Sequence, residues 1–368
     1  MKYSKIIYIL FIVFVSCSQN SDEYSAFEIK FHQPVNFPSP TFDLEDNPIT
    51  TEGFELGRKL FYDNRLSLNN EINCGECHNQ SHAFTHHGHD LSEGVHPGVF
   101  GTRNSQPIQN MAYMNDFTWD GAKDKLFDQP LIPITEPVEM DETMENVLVK
   151  LKKDSEYQQR FQSVFKTEDA ITSVNLLKAL SKFMGAMVSS NSKYDKYVRG
   201  EEGGTFTEEE KKGLALFQQK CATCHNGTLF TNQEFINNGI GENPSLPNET
   251  GRARISSSNP FATVEELKTS DDYYKFKVPS LRNVEKTYPY MHDGRMILLS
   301  TVLDFYDTDT YPLMTKMKNL DERLIQTNQK EETLGIPMTE DEKVAIITFL
   351  KTLTDYEFLN DSRFAKPE

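Results

Sequence analysis

The sequence predicts an all-α protein made of two similar helical domains, and three observations predict it. A pattern of residues around positions 51–61 recurs around 207–217, as an internal duplication would leave it. Elsewhere apolar residues return every three or four positions, the period of a helix with one buried face, and no alternating strand pattern of any length is found. The third is size: 368 residues, 37% hydrophobic and 25% charged, have the composition of a globular chain long enough for about two domains. The formal net charge of -17 excludes a phosphate-backbone partner, which would need clustered Lys and Arg. It favours basic partners instead, small basic electron carriers among them.

Taken in order, residues 1–16 begin with a Lys-containing start followed by an apolar run from Ile6 to Val15. That run is too short to cross a bilayer and reads as a signal peptide. Cys17 follows Phe14-Val15-Ser16, an order similar to the lipobox of bacterial lipoproteins, in which the Cys is diacylated and becomes the mature N-terminus. Phe14 is a looser match than the usual Leu, and a plain secretory signal with an incidental Cys is the alternative. Residues 17–45, polar and with three prolines among them, are expected to tether the folded body to the anchor.

The first domain, 46–200, opens Thr51-Glu-Gly-Phe54-Glu-Leu56-Gly57-Arg-Lys-Leu60-Phe61. The second, 201–356, opens Thr207-Glu-Glu-Glu210-Lys-Lys-Gly213-Leu214-Ala-Leu216-Phe217. Each stretch reads as a helix with Thr as N-cap, and the second carries a capping box. Each is followed by one copy of a second pattern: Cys74-Gly-Glu-Cys77-His78 and Cys221-Ala-Thr-Cys224-His225. C-x-x-C-H is the attachment signature of a c-type haem: two thiols reach the vinyl groups, and the adjacent His becomes the proximal iron ligand. A redox dithiol does not require the His, and a zinc site would need two further soft ligands close by. With Cys17 used elsewhere, the five Cys leave none spare. In both helices a Gly lies four residues before a Phe (Gly57/Phe61, Gly213/Phe217), which permits close helix crossing, as in the N-terminal helix of cytochrome c folds.

Between the motifs, Ile171 to Met187 carries Val174, Leu177, Leu180, Phe183, Met184 and Met187 on one stripe, the Met residues expected as core packing. The glycines of Arg199-Gly-Glu-Glu-Gly-Gly204 mark a linker between the domains. Thr339-Glu-Asp-Glu342 caps a closing helix with Val344, Ile347, Leu350 and Leu353 recurring.

Several segments are more than haem attachment requires. They are Gly94-Val-His96-Pro through Arg103-Asn104, Phe117-Thr-Trp119-Asp120-Gly121, Asp128-Gln129-Pro130 and Glu136-Pro137-Val-Glu139-Met140. After the second motif come Phe276-Lys-Val-Pro-Ser-Leu-Arg282-Asn283 and Thr287-Tyr-Pro289-Tyr-Met-His292-Asp293-Gly294. In order and spacing, from about Gly57 to Leu353, the chain closely resembles the bacterial diheme cytochrome c peroxidases. That family includes the methylamine-utilisation diheme enzymes that mature tryptophan tryptophylquinone.

The resemblance implies two cytochrome c-like domains, a peroxide-reacting haem on His78 and an electron-accepting haem on His225. It makes His96 the distal ligand that leaves the first iron on activation; one more surface His in a His-rich stretch (His82, His86, His87, His89) is the alternative. It makes Glu139 the acid that moves a proton between the oxygens of bound peroxide, and Gln129 a residue that hydrogen-bonds the peroxide. Trp119, the only Trp, would carry electrons between the haems, serve as a buried anchor, or do both. Asn104, Thr287 and Pro289 match positions that supply oxygen ligands to a calcium ion. Family members are often homodimers.

In one respect the chain departs from the ordinary peroxidases. They place a Met about fourteen residues after the His of P-Y-x-H-D-G, as second ligand of the C-terminal haem; counting from His292 gives Tyr306. Tyr is what the quinone-maturing relatives have there, and a phenolate favours ferric and higher states where a thioether favours ferrous. Met314 or Met317 remains an alternative ligand. Three functions are therefore weighed: reduction of hydrogen peroxide with electrons from a small cytochrome c or copper protein, peroxide-dependent oxidation of a residue on a partner protein, and a diheme electron carrier without catalysis. The expected location is the periplasm, lipid-anchored to the outer membrane, with surface display as the variant.

Overall fold

The computed structural model describes residues 28–308, 314–328 and 331–367. The expected signal segment and Cys17 lie outside them. Among the described residues the chain is dominated by helices, and no helix is long and apolar enough to cross a membrane.

In chain order the helices are α1 (Thr51–Phe61), α2 (Cys74–Cys77), α3 (Leu131–Thr135), α4 (Met144–Lys152), α5 (Ser155–Phe165), α6 (Ser173–Ala186), α7 (Lys193–Arg199) and α8 (Glu208–Lys220). Then come α9 (Ala253–Ser256), α10 (Val264–Leu267), α11 (Leu299–Tyr306), α12 (Glu340–Lys351) and α13 (Tyr356–Asn360). Two short antiparallel pairs interrupt them: β1 (Phe235–Ile236) with β2 (Phe276–Lys277), and the hairpin β3 (Ile325–Asn328) with β4 (Glu331–Leu334). The hairpin falls where no strand is expected, because Gln326-Thr-Asn-Gln-Lys-Glu-Glu-Thr333 has almost no apolar alternation to read.

The duplication is visible as two matching helix crossings. In the first half α1 packs on α6, and a Cβ on Gly57 would collide with the carbonyl oxygen of Ala179. In the second half α8 packs on α12, and a Cβ on Gly213 would collide with the carbonyl oxygen of Ala345. One turn on, Phe61 meets Phe183 at 5.2 Å between ring centres, and Phe217 meets Phe349 at 5.1 Å. Only Gly lets the two backbones come this close, so the same device sets both crossings.

Several local expectations shift. The N-cap of α1 is Thr50, whose side chain accepts from the Gly53 N–H at 3.1 Å. Thr51 instead accepts from the Ile29 N–H at 2.9 Å. Thr207 and Thr339 do make capping boxes with Glu210 and Glu342. Val174 and Val344 face solvent, 54% and 57% exposed, so the buried stripe of α12 runs through Ala345, Ile346, Phe349 and Leu350. Met184 and Met187 are core, as their setting predicts.

Both ends of the chain return to the first half. The part of the supposed tether that is described, from residue 28, is packed: Ile29 and Phe37 are buried, with Phe37 edge-on to Tyr113 at 5.2 Å. At the other end Phe358, Leu359 and Phe364 join the same core, and Tyr62 donates to the Phe364 carbonyl at 2.8 Å. The first apolar core thus reaches past 356 in sequence, a closure that no local pattern announces.

Candidate functional site

The first Cys motif forms a single helical turn. Asn73 caps α2 by accepting from the Gly75 N–H at 2.9 Å, and the chain leaves the turn at His78. His78 Nδ1 lies 2.7 Å from the carbonyl oxygen of Phe84, so Nδ1 carries the proton and donates it. That fixes the tautomer and leaves Nε2 with its lone pair for a metal. Cys74 and Cys77 are not joined to each other. Burial pushes their thiols up, to about 12 and about 11. A redox dithiol ordinarily has a thiol lowered toward neutrality instead.

Both thiols and His78 open onto a cavity of about 490 Å³, within the usual range for a cofactor or ligand site. Its walls are mostly apolar, with Phe61, Ile108, Met111, Leu180 and Met184 among them. Trp119, Gln129 and Glu139 also line it, so the structure brings these three together with the first motif. Glu139 sits in the loop after α3, its N–H bonded to Glu136 and its carbonyl accepting from Val95 at 2.7 Å. Burial, with the Glu136 charge beside it, raises the Glu139 carboxyl to about 7. Gln129 ends a short 3-10 turn, Leu126–Asp128.

Trp119 belongs to both halves. It walls the first cavity, yet it packs with Phe276 in an apolar cluster of the second half, edge to face at 6.5 Å. Its indole N–H donates to the Asn104 carbonyl at 2.8 Å, and its own carbonyl accepts from the Lys277 N–H at 2.8 Å.

The second motif repeats the chemistry of the first. Cys221 is the C-cap residue of α8, and burial raises its thiol to about 12. His225 Nδ1 is 3.1 Å from the Phe230 carbonyl, and burial holds the imidazole neutral, down to about 4. Tyr306 ends α11, partly buried between two apolar clusters and near the thiols of Cys224 and Cys221. Of the alternatives, Met314 is buried against Gly239, and Met317 Sδ accepts from Asn237 at 3.3 Å.

His96 is not brought to the cavity. Its side chain is 46% exposed and its Nε2 pairs with Asp141 at 2.7 Å. The loop is held there by Gly94, which fits against the Val138 carbonyl with no room for a Cβ, and by the Val95–Glu139 hydrogen bond. The other loop imidazoles lie in pairs, His82 tilted against His87 at 3.7 Å and His86 stacked on His89 at 4.3 Å.

Two of the three residues matched to a calcium site make internal bonds through their side chains. The Asn104 carboxamide donates to the carbonyls of His89 and Asp90, and Thr287 Oγ1 to Val284 at 3.4 Å. Pro289 follows a cis peptide. Among the described residues no group of three His, Cys, Asp or Glu side chains is arranged to hold a metal ion. Calcium therefore rests on the resemblance alone, and the zinc alternative for the Cys motifs finds no further ligands.

Three residues that sequence reasoning left without a role stand beside these sites. Asn238 donates to the Tyr306 phenol oxygen at 3.0 Å. Glu249 clamps Arg103 of the cavity wall at 2.6 Å, which also pairs with Asp120 at 2.6 Å. Lys277 is buried in the same wall. A lone Asn, Glu or Lys reads as solvated surface, and only the position of Lys277 inside Phe276-Lys-Val-Pro offered a signal.

Two protonated thiols, a His with a free Nε2 and an apolar cavity fit a covalently attached haem at the first motif, and the second has the same donor set. Comparison with known proteins agrees. Residues 51–203 match the family model described as di-haem cytochrome c peroxidase. The chain is 32% identical to the methylamine utilization protein MauG of Methylorubrum extorquens over 91% of this chain and 86% of that one. It is 30% identical to cytochrome c551 peroxidase of Nitrosomonas europaea over 83% and 81%. A crystal structure of a MauG-like protein associated with microbial copper homeostasis superposes with a TM-score of 0.74 at 28% identity, covering 92% of this chain and 99% of that one. The chain belongs to the di-haem cytochrome c peroxidase family, whose members named here include both peroxidases and MauG proteins.

Proposed function

We propose that this protein is a peroxidase with two cytochrome c-like domains, each holding one haem c, that reduces hydrogen peroxide to water with two electrons from a small cytochrome c or copper protein. The observation that carries this reading is the Glu139 carboxyl, raised to about 7 in the wall of the cavity that Cys74, Cys77 and His78 open onto. Haem iron, when bound, supplies the electrons and the site for peroxide. Splitting the O–O bond then needs a proton taken from one oxygen and given to the other. A carboxyl titrating near neutrality can do both, accepting on an Oε atom and returning the proton from it. Gln129 offers an amide to hold the peroxide, and Trp119 offers an oxidisable ring between the two halves. A carrier without catalysis would have no use for Glu139. Replacing Glu139 by Gln should slow peroxide turnover by about 10²–10⁴-fold while both haems stay bound; a wild-type protein that holds both haems and turns over no peroxide would leave the carrier reading standing.

A second reading, peroxide-dependent oxidation of a residue on a partner protein, is favoured by two placements. Tyr306 lies beside the second motif where ordinary peroxidases have a Met, and His96 is turned away from the first. One equivalent of peroxide added to the diferric protein separates the readings. An immediate Soret change with near-infrared absorption supports the second, and no reaction before half-reduction supports the first. An N-terminal lipid anchor at Cys17, a periplasmic location and calcium held through Asn104, Thr287 and Pro289 complete the proposal; mass spectrometry of the mature N-terminus and metal analysis test them.

A further inference from the structure

We propose that Lys277 is the counter-ion of a porphyrin carboxylate in the first cavity, an assignment that rests on haem attachment at Cys74 and Cys77. Lys277 lies on β2 and is 7% exposed, in the cavity wall. Among the described residues its ammonium has one hydrogen-bond partner, the carbonyl oxygen of Asp116 at 2.7 Å, and no carboxylate within ion-pair distance. A cation removed from water and left without an anion is costly, and buried charges are ordinarily paired. The other cation of the wall, Arg103, is already matched by Asp120 and Glu249. Lys277 is therefore the wall cation with no anion paired to it, since the Asp116 charge acts on it only from beyond ion-pair distance, and the space beside it is the cavity.

The group expected there carries two carboxylates. Its thioether bonds fix one edge of the ring at Cys74 and Cys77, and the acid groups lie on another. Lys277 assigns that edge to the side of the wall where Trp119 sits, since the two residues are joined by the Lys277 N–H to Trp119 carbonyl hydrogen bond. Burial lowers the ammonium to about 8 against the raising effect of the Asp116 charge, and a carboxylate beside it would raise it again. A positive charge held at the ring edge disfavours the ferric state, so the potential of the first haem should depend on it.

The test is spectroelectrochemistry on the full-length holoprotein, comparing wild type with K277M, K277Q and K277R, after counting covalent haems in each. The expected result is two haems in K277M, a first-haem midpoint moved to lower potential, an unchanged second-haem midpoint, and recovery toward wild type in K277R. Both midpoints unchanged in folded K277M would overturn the assignment. Should K277M fail to accumulate, K277Q, which keeps a polar head for the Asp116 carbonyl, is judged by the same criterion. Wild-type midpoints that shift with added phosphate, and cease to in the Lys277 variants, would place a free anion there and overturn it too. A wild-type protein with no covalent haem at the first motif would instead defeat the attachment reading beneath it.

Discussion

The carboxamide of Asn238 donates a hydrogen bond of 3.0 Å to the phenol oxygen of Tyr306. The amide is oriented from its other end, because its carbonyl oxygen accepts from the Ile240 N–H at 3.2 Å. Burial pushes the Tyr306 phenol up to about 12, and the Asn238 bond works against that push.

If Tyr306 is the second ligand of the C-terminal haem, Asn238 withdraws electron density from the phenolate that binds the metal. Asn238→Leu should then lower the midpoint of that haem, whereas Tyr306→Met, which substitutes a thioether, should raise it. Tyr306→Phe should remove any phenolate charge-transfer band. An unaltered second-haem spectrum in Tyr306→Phe would give the position to Met314 or Met317. Redox titration followed optically at each haem reads all three variants.

The Glu139 carboxyl is held near 7 by burial and by Glu136, well above an ordinary carboxylate. The first step asks it to accept a proton, so the ionised form is the active one. The rate of reaction with peroxide should fall as pH drops below about 7 and level off above it. Glu139→Gln should be slower by about 10²–10⁴-fold and lose this pH dependence. Stopped-flow rate constants between acid and alkaline pH check both; a Gln variant with the wild-type profile would remove Glu139 from the chemistry.

Much of this was legible because it is written in local patterns. Gly57/Phe61 and Gly213/Phe217 announced the two helix crossings, since only Gly fits against the carbonyls of Ala179 and Ala345. The C-x-x-C-H spacing marked both proposed attachment sites without help from tertiary structure. What stayed hidden depends on distant partners. Apart from its place in Phe276-Lys-Val-Pro, Lys277 looks like any surface Lys until the cavity beside it is seen. Periodicity placed Val174 and Val344 on buried stripes, yet Val174 sits at the exposed first turn of α6, and Val344 lies on the solvent side of α12 although its neighbours Lys343 and Ala345 are buried. The return of Phe358 and Phe364 to the first core has no local signature at all.

The Arg282–Asp195 pair is the clearest case of such a partner. Arg282 Nη1 and Nη2 donate to the two carboxylate oxygens at 2.9 and 2.8 Å, and neither side chain is exposed. Gln109 donates to the Arg282 carbonyl at 2.6 Å, and Asn283 bonds to Gln109 and Ser189, so the pair ties the first half to the second. Arg282 holds the Asp195 carboxyl below the usual carboxylate range. Removing one partner leaves a buried charge uncompensated, so Arg282→Met should destabilise the fold by about 3–5 kcal/mol. Replacing both by apolar residues should cost less than either single change. Guanidinium unfolding of Arg282→Met, Asp195→Leu and the double variant reads this, and a double-variant loss equal to the sum of the two single losses would show that the pair is not coupled.

His96 gives the most direct test of the resting state. Its imidazole is paired with Asp141 at 2.7 Å and nearly half exposed, while the backbone on either side is pinned by Gly94 and by the Val95–Glu139 bond. In this arrangement the first cavity needs no ligand to depart before peroxide enters. The as-isolated diferric protein should therefore react with one equivalent of peroxide without prior reduction, and His96→Ala should react at the wild-type rate with an unchanged diferric spectrum. A wild-type protein that stays inert until half-reduced, with His96→Ala reactive at once, would mean that the loop turns inward and His96 occupies the iron at rest. The first result without near-infrared absorption fits a peroxidase whose first site is open at rest, and with it favours oxidation of a partner through both haems; the second result means an ordinary peroxidase awaiting activation.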